Sequence, residues 1–155
     1  MRYWSSTPHE DEGRTREAIE SIIAEVERGE ALQWAIERRD DGRVIGSITL
    51  MLADGQPRAE IGYILGREHW GRGFAAEAQG RTIEYAFGEL GLHRLEADTH
   101  PDNHASTRSL ERLGFRREGL LRERWLVGGE FSDSMIWGLL AEEWRARRSG
   151  AAPRP

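Results

Sequence analysis

The sequence predicts an α+β fold, a mixed and mostly antiparallel sheet with helices on its faces. Three observations carry that prediction. Alternating apolar runs are separated by short turns containing Asp-Gly, three other segments repeat apolar residues at three- and four-residue steps, and the order reads helix, three strands, helix, strand, helix, two strands. The chain has 155 residues, the size of one domain, and no internal repeat.

Residues 1–12 show no clear period. From about Arg14 to Arg28, Ala18, Ile19, Ile22, Ile23 and Val26 form the stripe of an amphipathic helix, and Gly29 is placed to end it. Leu32, Trp34 and Ile36 then alternate along a strand. The chain turns at Asp40-Asp41-Gly42 and returns from Val44 to Leu52, a hairpin signal. A turn at Asp54–Pro57 leads to a third strand, Arg58 to Leu65. The glycine-rich break Gly66–Gly73 precedes a helical pattern over Phe74–Leu90.

Arg94 to Thr99 reads as a short strand, ended by Pro101, which has no N–H to donate to a ladder. Asn103 is a natural N-cap for a helix running to Leu113 and stopping at Gly114. Phe115 onward forms a long hairpin about Gly128-Gly129, returning over Met135–Leu140. Past Glu142 the chain is charged. Residues 1–148 are read as a single domain and 149–155 as a disordered tail.

Composition narrows the function classes. With no cysteine, a disulfide scaffold, a thiolate zinc site and a cysteine nucleophile are all excluded. The net charge of −5 argues against a broad basic surface for nucleic acid. The arginines at 112, 116, 117, 122 and 124 alternate with Glu111, Glu118 and Glu123, so they form no basic stripe. No apolar stretch approaches the roughly 20 residues of a membrane span. Nor does the N-terminus carry a basic region followed by an apolar one, so the expected setting is cytoplasmic, with neither membrane nor nucleic acid as partner. His100 and His104 are four apart, but Pro101 interrupts any helix between them, so no metal site is expected.

Two patches carry chemistry. The first runs from the strand Glu60-Ile61-Gly62-Tyr63-Ile64-Leu65 into Trp70-Gly71-Arg72-Gly73-Phe74-Ala75-Ala76. A strand ends, glycines let the backbone turn close to a ligand, and a helix begins, offering free N–H groups and a positive dipole end to a phosphate. Arg72 would add a charge-assisted bond. The spacing is neither the dinucleotide fingerprint nor a P-loop. The second patch is Asn103-His104-Ala105-Ser106, followed by Leu113-Gly114-Phe115. Singly, each patch also reads as a tight turn or an ordinary helix cap.

Together they resemble the GNAT superfamily of acetyl-CoA-dependent N-acetyltransferases, and within it the branch that acetylates ribosomal protein N-termini. The likeness extends from the first helix to Trp144. The family's pyrophosphate loop, Gln/Arg-x-x-Gly-x-Gly/Ala, falls on Trp70 to Ala75, with Trp70 in place of the basic residue. The branch's Asn-x-x-Ser before a Leu-Gly-Phe falls on Asn103, Ser106 and Leu113-Gly114-Phe115.

The resemblance implies a role for each match. The amides of Gly71, Arg72, Gly73, Phe74, Ala75 and Ala76, with Trp70 beside them, would hold the pyrophosphate of acetyl-CoA. Tyr63, Ile64 and Leu65 would pair with the pantetheine arm and offer an oxyanion donor. Asn103 would bond the pantetheine, and Ser106 would serve the departing thiolate, because Glu111 stands where many relatives carry a general-acid tyrosine. Arg108 and Arg112 would be solvated or would meet the phosphoadenosine. A protonated amine must lose a proton before it attacks the thioester. Glu60 is the expected base, Glu96 its rival and His100 a further choice, while Trp70 and Trp125 would line the acceptor pocket. The expected acceptor is a protein N-terminal α-amine. A polyamine, amino sugar or amino acid, and a non-catalytic CoA-binding module, are the alternatives.

Relatives in that branch usually begin with a further strand and helix before the segment matching Arg2-Tyr3-Trp4. The strand expected beside Leu32–Arg38 is therefore missing from the pattern. A missed start, a fragment, or a second chain covering the open edge as a homodimer would each account for that.

Overall fold

The structure, a computed structural model, describes residues 10–150. Helix α1 spans Glu12–Glu27, capped by the Asp11 carboxylate, which accepts from the Arg14 N–H at 2.8 Å. Strands β1 (Ala31–Arg38), β2 (Arg43–Leu52) and β3 (Arg58–Leu65) follow as an antiparallel meander. A single 3-10 turn, Arg67–His69, breaks the glycine-rich connection before α2 (Phe74–Gly88). Then come β4 (Arg94–Thr99), α3 (His104–Leu113), β5 (Arg116–Val127), β6 (Glu130–Leu140) and α4 (Ala141–Ser149).

All six strands share one sheet in the order β1-β2-β3-β4-β6-β5. Every pairing is antiparallel except β3 with β4. One face of the sheet carries the core. Leu50, Leu95 and Leu139 lie fully buried against Ile83, Ala86 and Phe87 of α2, and Leu110 of α3 closes the same cluster. Each of these leucine, isoleucine and phenylalanine side chains contributes about 1.5–3 kcal/mol through burial. The two helices are tied by Gln79, almost wholly buried, which donates to the Ala75 carbonyl at 3.0 Å and to Ser109 Oγ at 3.1 Å.

Three elements differ from the sequence expectation. The charged stretch after Glu142 is helical, and Ser149, expected at the head of a disordered tail, is its last residue. The reason is polar: Arg147 donates to the Arg112 carbonyl at 2.9 Å and Arg145 to that of Phe87 at 3.3 Å. Helix α4 thus satisfies carbonyls at the ends of α2 and α3. Residues 151–155 of the expected tail lie outside the described residues. Strand β6 begins at Glu130, because the partner strand pairs it from the turn onward. On α1 the inward stripe is Ala18 and Ile22, leaving Ile19 and Ile23 half exposed.

Strand β1 pairs with β2 and is the outer strand of the described sheet. At the other end of β2, Gly46 lies opposite Leu65, and a Cβ there would come within 2.2 Å of the Ile64 carbonyl oxygen. Only the absence of a side chain lets β2 approach β3 so closely where β3 enters the glycine-rich connection. Gly46→Ala is expected to destabilise the protein by roughly 1–3 kcal/mol through forced backbone movement, seen as a lower urea midpoint with an unchanged slope.

Candidate functional site

The site follows from the parallel pair. β3 and β4 are in register at Arg58–Arg94, Ala59–Leu95 and Glu60–Glu96, and there the pairing stops. Beyond Glu60 the strands part. The β4-facing side of Ile61 to Leu65 is left without a strand partner, although β2 continues to pair its other side. That fork connects the two faces of the sheet.

On the helical face, Tyr63 reaches from β3 to α3, where its hydroxyl lies 3.0 Å from Ser106 Oγ. Asn103 caps α3 as expected, its Oδ1 accepting from the Ser106 N–H at 3.2 Å. The Trp70 indole N–H donates to the Leu65 carbonyl at 2.9 Å, fastening the loop to the strand end. Gly71 and Gly73 have φ of +73° and +88°, a conformation that other residues adopt only under strain. Gly73 is the N-cap of α2 and has no side chain to satisfy the first-turn amides, so Phe74, Ala75 and Ala76 present theirs outward. The Arg72 guanidinium stacks 5.2 Å from the centre of the Phe74 ring. This donor set suits the diphosphate of a nucleotide: backbone N–H groups, a helix N-terminus and a nearby guanidinium. Arg108 and Arg112, further along α3, are exposed.

On the opposite face, an open cleft of about 410 Å³ is lined by Glu60, Glu96, Asp98, Glu118, Leu121 and Arg124, among others. Glu96 is held on both oxygens, by Arg58 at 2.9 Å and Arg94 at 2.9 Å. Arg94 also grips Glu118. Both Glu96 oxygens are thus occupied by guanidiniums, which sets it apart from Glu60. Among the described residues Glu60 has no ion pair, and its carboxyl titrates above the usual carboxylate range. Burial is the main cause, with Asp98 and Glu96 adding like charge against Arg124 and Arg58.

Asp98 belongs to no sequence motif, and Arg124 stands in the sequence only as a member of an alternating charge run. Asp98 lies two residues beyond Glu96 on the same face of β4, so strand alternation alone points to it. It accepts from Ser134 Oγ and, at 3.1 Å, from the Trp125 indole, and it lies 3.6 Å from Arg124 Nε. The Trp125 indole thus meets Asp98 on the face that carries the cleft, whereas Trp70 fastens the loop to Leu65. His100 sits past the end of β4, with its Nδ1 accepting from the Asp102 N–H at 3.1 Å, a turn role. Among the described residues no group of three or more acidic or histidine side chains is placed to hold a metal ion. No described helix is long and apolar enough to cross a membrane.

Residues 1–116 match the family model described as an acetyltransferase (GNAT) domain. The chain belongs to the GNAT acetyltransferase family. It is 38% identical over 144 residues to an uncharacterized N-acetyltransferase, p20, of Bacillus licheniformis, covering 92% of this chain and 81% of that one. It is 27% identical over 123 residues to the ribosomal protein uS5-alanine N-acetyltransferase of Escherichia coli, covering 78% and 63%. Its fold is similar to spermidine N-acetyltransferase from Vibrio cholerae in complex with CoA and spermine, with TM-score 0.82, 25% identity and coverage of 94% and 84%. The GNAT chain is accordingly an acetyl-CoA-dependent acetyltransferase, with the family's mixed sheet between helices.

The raised titration of Glu60 has a consequence for stability. The folded state binds the proton more tightly than the unfolded state, whose carboxyl titrates near the ordinary 4.5. Stability therefore falls as pH rises from that value through the folded one, and the ionised carboxylate remains a standing cost above it. Glu60→Gln is expected to melt at a higher temperature than the parent at neutral pH. The gap should close by about pH 4, as followed by thermal melts across that range.

Proposed function

We propose that this GNAT enzyme transfers an acetyl group directly to a protein N-terminal α-amine, with Glu60 as the base. The observation that carries the reading is Glu60 itself: a partly buried carboxylate without an ion pair among the described residues, at the last paired position before β3 and β4 part. Its proton affinity is raised toward that of a useful base, while Glu96 beside it is committed to Arg58 and Arg94.

When bound, acetyl-CoA supplies the acetyl group as a thioester, a carbonyl open to attack by a neutral amine. The amides of Gly71 to Ala76 hold the diphosphate, with Arg72 and Trp70 shaping that loop. Tyr63, Ile64 and Leu65 offer the unpaired side of β3 to the pantetheine arm, which Asn103 also bonds. On the acceptor side, Glu60 takes the proton that the ammonium must lose, and the freed amine attacks through the fork. As the new C–N bond forms and the C–S bond breaks, the nitrogen releases its second proton to solvent and the Ser106 hydroxyl donates its proton to the sulfur. Tyr63, hydrogen-bonded to Ser106, keeps that hydroxyl oriented, and the pair regains one proton from solvent. The route needs no acyl-enzyme, in keeping with a chain that lacks cysteine.

An N-terminal α-amine is favoured because the cleft is open to solvent on its outer side, as a chain end requires. The likeness to the uS5-alanine enzyme supports the same choice. A small polyamine is the second reading, favoured by the 0.82 TM-score to the spermidine enzyme. Cytoplasmic action belongs to the first reading, since newly made proteins are its substrates.

The test is acetyl transfer to peptides with free α-amines, set against spermidine, amino sugars and amino acids. Peptide acetylation is expected, and Glu60→Gln should lower kcat/KM by about 10²–10⁴-fold while the protein stays folded. Ser106→Ala should lower kcat by about tenfold with little change in acetyl-CoA affinity by calorimetry. Acetyl-CoA turnover on small amines alone, with peptides inert, overturns the N-terminal reading. Tight acetyl-CoA binding without turnover on any amine overturns the enzymatic role given to Glu60.

A further inference from the structure

The β5–β6 hairpin is irregular where it faces the cleft. Leu121 pairs with Ser134 and Trp125 with Ser132, so β5 advances four residues while β6 advances two. Within this bulge Glu123 has φ +53°, the one non-glycine positive φ among the described residues. Its N–H, removed from the ladder, donates instead to the Asp133 carboxylate at 2.9 Å. A left-handed backbone at a residue with a side chain persists only where its surroundings hold it. Its effect is to aim Arg124 and Trp125 across β6 toward β4. Both meet Asp98, and the Arg124 guanidinium stacks 5.3 Å from the Trp125 ring centre. Ser134, whose small side chain lies between them, leaves room for that reach and bonds Asp98 as well.

This placement fixes the charge of the cleft. Four carboxylates line it, Glu60, Glu96, Asp98 and Glu118. Arg58 and Arg94 are paired with Glu96 and Glu118, and Arg124 with Asp98. Four negative groups against three guanidiniums leave one negative charge, carried by Glu60. We infer that Arg124 is a specificity-determining residue, which neutralises Asp98 so that the cleft accepts one ammonium group and repels an acceptor bearing a second.

The inference rests on the reading that the acceptor enters beside Glu60, and it narrows the acceptor class to monoammonium amines. A free peptide α-amine brings a single cation to the single unpaired carboxylate. The second ammonium of a polyamine, a few bonds away, meets a guanidinium where it needs an anion. Discrimination here comes from a repulsive group as well as an attractive one.

The experiment compares a neutral peptide with a free α-amine, a simple monoamine and spermidine. Each is run on the parent, Arg124→Gln, Arg124→Met and Arg124→Lys. Calorimetric binding of spermidine alone gives a readout that does not depend on turnover. The parent should prefer the monoammonium acceptors and bind spermidine weakly. Both neutral variants should raise the spermidine-to-peptide ratio of kcat/KM by about tenfold, the size expected for one unit charge at short range in a half-solvated cleft. Arg124→Lys should keep the parent's ratio. Met retains an apolar stem against Trp125, and a ratio is insensitive to partial loss of folded protein, so an unstable Gln variant does not obscure the result. An unchanged ratio in the neutral variants, or a Lys variant that behaves as they do, overturns the inference. So does a parent that binds spermidine as tightly as the monoamine. A parent that acetylates the monoamine and not the peptide, with the ratio shift intact against the monoamine, overturns the N-terminal reading and upholds Arg124.

Discussion

The geometry of this molecule depends on a parallel pairing that ends after three residues. Had β3 and β4 stayed together to their ends, Ile61 to Leu65 would have been an interior strand with both edges satisfied. Because they part at Glu60 and Glu96, one edge of β3 is left without a strand partner along Ile61 to Leu65. The elements around the fork hold it in shape. Tyr63 and Ser106 span it on the helical face, Trp70 ties the loop back to Leu65, and Gln79 ties α2 to α3. The helix that presents bare amides and the helix that presents a hydroxyl are thereby kept at a fixed separation.

The second organising feature is the division of charge on the far face. Most of the carboxylates there are neutralised by guanidiniums, and the arrangement spares one. Isolated ion pairs on a wet surface add little to stability. In this cleft their consequence is chemical. By occupying Glu96, Arg58 and Arg94 distinguish two carboxylates that the strand register places side by side, while burial raises the proton affinity of Glu60.

Much of this was legible in the sequence, for identifiable reasons. The limits of β3, β4 and α3 follow from alternation, a proline and an Asn…Gly pair of caps, and the structure reproduces Arg58–Leu65, Arg94–Thr99 and the stop at Gly114. The glycine loop was legible because φ near +80° has few occupants other than glycine. Helix α4 was not, because it is held by arginines reaching the carbonyls of Arg112 and Phe87 rather than by an apolar stripe. The ranking of Glu60 over Glu96 comes from the family resemblance, since no local pattern tells which carboxylate two distant arginines will seize. Arg124 was read as one member of an alternating charge run. Its inward aim comes from a bulge, and an insertion in register leaves no trace in periodicity.

The same irregularity has a bearing on how the molecule behaves among its own kind. Both rims of the described sheet are broken: β1 slips register between Ile36 and Glu37, and β5 slips twice. A long straight rim is a template on which foreign strands can add, the first step toward fibrils, and kinked rims are a common safeguard. In β5 the kink that points a guanidinium inward also interrupts the outer row of backbone donors and acceptors, so a feature that serves chemical selectivity also guards against aggregation.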